Sequence, residues 1–131
     1  MAKINVFVIG ENDQRVEKIE DDFFGIIKAM NISQYDYFNI FEIEIKNKKY
    51  DLYAPQINHY KNTKKITAMF RNKEKFFCGT LIITKHNKKQ ELISLIDIDI
   101  DNISSFVQES KEKAKHVNGI DYEFSDKILL I

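Results

Sequence analysis

No stretch of this chain approaches the roughly 18 consecutive apolar residues that a membrane-spanning helix needs, so no membrane partner is expected. The single cysteine, Cys78, rules out an internal disulfide, and residence in the cytoplasm is the default expectation, that of the host cell if the chain is phage-encoded. The four glycines, Gly10, Gly25, Gly79 and Gly119, stand apart from one another, which leaves no glycine-rich phosphate cradle. His59, His86 and His116 lack metal-ligand spacing, so neither a metal nor any other cofactor is called for. The one proline, Pro55, closes a strand-like segment. Net charge is also lacking, at +0.

That zero hides a segregation. Residues 1–45 carry 4 basic and 9 acidic side chains, residues 46–90 carry 12 and 2, and residues 91–131 carry 4 and 9. The basic middle third suggests an anionic partner, while pairing of its lysines with the acidic segments of the same molecule is the plainer alternative. Heavy use of isoleucine, lysine and asparagine suggests an AT-rich coding sequence such as that of a low-GC bacterium or its phage.

With 131 residues, 44% hydrophobic and 31% charged, the chain has the length and composition of one globular domain, 1–131. "KINVFVI" (3–9) reads as a first strand rather than a signal peptide. The following segment opens with Asn12 or Asp13 as N-cap. It sets Val16, Ile19, Phe23, Ile26, Ile27 and Met30 at helical spacing, with Glu17, Glu20, Asp21 and Lys28 on the other face. Gly25 inside this helix suggests a close backbone approach.

"YFNIFEIEI" (37–45) alternates, with Phe41, Ile43 and Ile45 on one face and Glu42 and Glu44 on the other. A polar "KNKK" turn then returns it through "YDLYA" (50–54), which predicts a hairpin. Residues 56–65 form a basic loop. "ITAMF" and "KFFCGTLIITK" are two strands around the turn "RNKE", and a second turn at Asn87-Lys88-Lys89 leads into "ELISL". Helical spacing resumes from about Asp97 to Lys115, and "IDYEFSDKILLI" ends the chain as one or two short strands. The expected fold class is α+β: a mostly antiparallel sheet of about five to six strands with two helices, ordered strand-helix-strands-helix-strand.

Asp97, Asp99 and Asp101 alternate with isoleucines and invite comparison with a calcium loop. Asn102 stands where that loop turns on glycine, and Gln108 stands where a bidentate glutamate closes the shell. A carboxylate-rich helix start accounts for the run better, so a structural role is expected. Cys78 in "FFCGT" is expected to be buried, because a nucleophile needs a base and sequence places no histidine beside it. No catalytic residue is assigned, and nothing recruits an enzyme.

What remains is the mix of aromatic and basic residues in the middle third. Aromatic faces beside cations suit a base or nucleotide, with Tyr50, Tyr53 and Tyr60 expected at the surface and Phe76 and Phe77 divided between core and surface. The expected ligand-binding residues are Tyr53, His59, Tyr60, Lys61, Lys64, Lys65 and Arg71.

The hairpin core Tyr50-Asp51-Leu52-Tyr53, the glycine-led strand Gly79-Thr80-Leu81-Ile82-Ile83 and the step Ser94-Leu95 into Asp97–Asp101 together form a layout. It resembles a family of small phage and mobile-element proteins, the domain of unknown function family thirty-eight forty-six. The resemblance covers about residues 3 to 107, with departures in the basic loop and the C-terminal strand region. It carries over no catalytic residue. It implies context: mobile elements hold such proteins alongside counter-defence genes. The expected function is therefore a non-enzymatic phage or mobile-element binding protein, sequestering a nucleotide-type anionic small-molecule ligand or occluding a host defence protein. The alternative is a small nucleic-acid-binding accessory protein using the basic middle third. Self-association into a homo-oligomer stays open.

Overall fold

The computed structural model describes residues 2–32, 37–56, 65–72 and 75–131. Among them are eleven strands and two helices in a mostly antiparallel α+β arrangement. None of these helices is long and apolar enough to cross a membrane.

Strand β1 (Lys3–Ile9) carries the apolar run, and it pairs antiparallel with β2 (Gln14–Glu20), from Lys3 opposite Glu20 to Ile9 opposite Gln14. Here the structure corrects the sequence expectation, because the first half of the predicted helix is this strand. Its helical spacing was real, but β1 is buried and its edge needs a hydrogen-bonding partner. A charged strand such as "QRVEKIE" is suited to the rim of a sheet. The helix itself, α1 (Phe23–Met30), starts only after Asp22, whose side chain accepts from the Gly25 N–H at 2.9 Å. Asn31 closes it in the left-handed conformation, φ 58°. Gly25 is the close approach expected of it: a Cβ there would lie 2.2 Å from the Glu20 carbonyl oxygen.

Strands β3 (Phe38–Ile45) and β4 (Lys48–Pro55) form the expected hairpin. Its two-residue turn, Lys46-Asn47, has φ 50° and 66°, as a type I′ turn requires. The segment expected as one strand around Cys78 is two, β6 (Phe76–Cys78) and β7 (Leu81–His86). Gly79, at φ 80°, breaks the run and sends its halves into different sheets. β7 sits between β1 and β4, giving the order β2-β1-β7-β4-β3, with β8 (Leu92–Ile93) paired to the end of β7.

The second helix is also shorter than expected. α2 (Asp97–Ser104) stops where β9 (Val107–Glu109) joins the terminal strand, and β10 (Ala114–Val117) follows where helix was expected. The chain ends in one long strand, β11 (Ile120–Leu130), which runs parallel to β5 (Ile66–Met69) in a second sheet of order β10-β11-β5-β6. These three differences raise the strand number above the five to six expected.

The main core lies between the two sheets and under α2. It joins Phe7, Ile9, Ile43, Ile45, Leu52 and Ile83 of the first sheet to Ala68, Phe77 and Leu129 of the second and to Ile103 of α2. A second cluster, with Val6, Val8, Ile26, Met30, Tyr53 and Ile82, lies under α1 on the opposite face of the first sheet. Cys78 is buried in a third, with Met69, Tyr122 and Phe124.

Candidate functional site

Strands β4 and β7 are covered on both faces, so successive side chains go to different environments. Leu52, Leu81 and Ile83 turn to the inter-sheet core, with Tyr50 among them. Tyr53 and Ile82 turn to α1. The same alternation divides the polar residues of the two strands into two clusters, one on each face.

The first cluster is closed. Asp99, in the first turn of α2, is 1% exposed and accepts from the Tyr50 hydroxyl at 2.8 Å, Lys85 Nζ at 2.5 Å and the Ile96 N–H at 3.0 Å. Lys48 Nζ stands 3.9 Å away. Burial acts to raise the Asp99 carboxyl pKa, but the bonds from Ile96, Lys85 and Tyr50 and the Lys85 charge outweigh it, so it sits below the ordinary carboxylate value. Burial, with the Asp99 carboxylate adding to it, raises the Tyr50 hydroxyl against an opposing contact from Asn102. The central aspartate of the alternating run is therefore a structural acceptor tying α2 to the sheet.

The second cluster opens to solvent. Asp51 lies opposite Thr84 across the β4–β7 pairing, and His86 is two residues further along, diagonal to Asp51 on the same face. His86 Nδ1 and Asp51 Oδ2 are 2.6 Å apart, with side chains 35% and 12% exposed. A hydrogen on Nδ1 aimed at the carboxylate leaves Nε2 as the ring nitrogen available to a ligand. Tyr53 stands two residues from Asp51 on that face. Its hydroxyl pKa is raised, first by burial and then by the Asp51 charge, against an opposing contact from Thr84.

These residues line a cleft of about 610 Å³ between the start of α1 and strands β3, β4 and β8. Its walls are Phe23, Ile26, Ile40, Tyr53 and Leu92, and its polar groups are Asp21, Asp22, Asp51, Glu91, Gln90 and His86. The rings of Phe23, Phe38 and Tyr53 follow one another with centroids 5.8 and 6.0 Å apart. Phe23 and Phe24 are 59% and 68% exposed, and Ile40 is 49% exposed. Among the described lining residues, four carboxylates stand against one imidazole, which makes this lining anionic whichever protonation state His86 adopts.

Of the residues expected to bind a ligand, Tyr53 lines this cleft, although it and Tyr50 are buried rather than at the surface as expected. The strand alternation that sends one to each face puts both under a covering layer. Lys65 and Arg71 lie elsewhere: the Lys65 N–H donates to Glu11, and the Arg71 guanidinium stands over the Phe106 ring at 5.2 Å. His59, Tyr60, Lys61 and Lys64 lie outside the described residues. Other basic residues of the middle third have partners within the molecule. Lys48 and Lys85 meet Asp99, Lys49 meets Glu42 at 3.4 Å, and Lys75 sits 4.0 Å from the Phe41 ring centroid. Lys88 and Lys89 share a turn with Gln90 and Glu91 but do not line the cleft.

Sequence reasoning missed Asp21, Asp22, Asp51, His86 and Glu91 as cleft residues. One signal was available: Asp51 is a carboxylate inside the otherwise apolar "YDLYA", and a buried charge needs a partner. No family model matches the chain, no curated protein matches it, and no solved structure matches it.

Proposed function

We propose that the protein is a non-enzymatic binding protein of phage or mobile-element origin that occludes a partner protein through the face formed by α1, β3 and β4. The observation that carries this reading is the pair Phe23 and Phe24, both more than half exposed, with Phe23 lining the cleft together with the half-exposed Ile40. Burial within the chain does not account for two phenylalanines on the first turn of a helix, whereas an aromatic anchor at an interface does. The counter-defence setting, with a host defence protein as the partner, is supported by the sequence resemblance through Tyr50–Tyr53, Gly79–Ile83 and Ser94–Asp101. An acid-lined cleft is poorly suited to a nucleotide-type anion, so sequestration of such a ligand would fall outside this cleft. Expression of the protein in a bacterium that restricts a phage should raise that phage's plating efficiency. The double variant Phe23→Ser, Phe24→Ser should lose that effect while keeping the wild-type melting temperature. An equally active double variant would remove this face as the binding surface.

A further inference from the structure

Building on the binding reading, we infer that the cleft receives an arginine side chain of the partner protein. The cleft is a built cavity rather than a patch of surface charge. It has an aromatic and aliphatic wall (Phe23, Tyr53, Ile40), an acidic rim (Asp21, Glu91) and a fixed carboxylate further in, Asp51 held by His86. A guanidinium is the cation that matches all three parts. It is planar, it stacks on aromatic faces, and its fork of N–H donors meets carboxylates in pairs. Its aliphatic stem would lie along Ile40 and the exposed Phe23 ring.

Charge decides between ligand classes here. A phosphate or carboxylate entering the cleft would face Asp21, Asp51 and Glu91, with His86 the one basic side chain among the described lining residues. The N-terminal end of α1 also borders the cleft and opposes a cation. Asp22 offsets that, because its carboxylate accepts from the Gly25 N–H. The volume of about 610 Å³ falls in the range of sites that hold small groups, ample for one long side chain. A neutral group of the same shape would gain the wall contacts alone.

The test uses the whole chain and three blocked amino acids, followed by NMR at the His86, Tyr53 and Gln90 signals: N-acetyl-arginine amide, N-acetyl-lysine amide and N-acetyl-citrulline amide. The arginine probe should shift these signals saturably, the lysine probe more weakly, and neutral citrulline at least tenfold more weakly. The double variant Asp21→Asn, Glu91→Gln, which alters exposed side chains, should weaken arginine binding at least tenfold with the fold unchanged. Equal binding of arginine and citrulline, or arginine shifts that map away from the cleft, would overturn the assignment. Failure of the arginine probe, with the Phe23→Ser, Phe24→Ser variant still losing activity against the restricting host, would defeat the arginine assignment and leave the binding face standing. Binding of arginine in the cleft, with that variant fully active, would defeat the occluding face and with it the assignment of the arginine to a partner protein.

Discussion

Replacing Asp99 by alanine removes an acceptor that three donors share, and its cost follows from what is left behind. The Tyr50 hydroxyl would be buried without its acceptor, Lys85 would lose its contact ion while only about a fifth exposed, and the Ile96 N–H at the start of α2 would lose its acceptor. A buried polar group stripped of its partner costs about 1–3 kcal/mol, and breaking a buried charge pair by deleting one member costs about 3–5 kcal/mol. These figures overlap rather than add, so the expected loss is about 3–5 kcal/mol, a large share of the roughly 5–15 kcal/mol that holds a typical domain together. Urea denaturation followed by circular dichroism reads it directly. Asp101→Ala, an exposed neighbour on the same helix, should stay within about 0.5 kcal/mol. In a cycle with Lys85→Met, the double variant should be less damaged than the two single losses combined, by at least about 1 kcal/mol, because the methionine no longer presents an uncompensated charge. An Asp99→Ala cost below about 1 kcal/mol, or no coupling to Lys85, would refute the closed-cluster account.

Three further outcomes follow from the same geometry. The folded-state pKa of Asp99 is depressed, so its contribution to stability is complete above its ordinary value of 3.8 and is lost as pH falls below it; Asp99→Asn should flatten that part of the stability–pH curve. Gly25→Ala forces a Cβ onto the Glu20 carbonyl, backbone that cannot rotate away as a side chain would, and should cost about 1–3 kcal/mol, seen as a lower melting midpoint. An ultraviolet titration of the six tyrosines should show Tyr50 and Tyr53 ionising above 10.0, and Asp51→Asn should bring the Tyr53 midpoint part of the way down by removing the carboxylate charge that adds to burial.

Local signals decided the parts of this fold that depend on neighbours in sequence. The β3–β4 hairpin was legible because two turn residues and a period of two lie within one short window, and Asn47 accepts positive φ readily. The apolar run of β1, the close approach at Gly25 and the burial of Cys78 were legible for the same reason. The cleft was not. Asp51 and His86 are 35 residues apart, and they meet only because β7 is inserted beside β4 in antiparallel register. Nothing in "QRVEKIE" announces a strand, since its 3–4 spacing suits a helix until β1 requires an edge partner. Helical spacing after Ser104 likewise gave way to pairing with β11. Tyr50 and Tyr53 read as surface residues because sequence does not reveal that this strand is covered on both faces, by α2 and the second sheet on one side and α1 on the other. Periodicity records which residues share a face; which element covers that face is a long-range packing choice, and it made one pair of polar clusters a closed anchor and an open cleft.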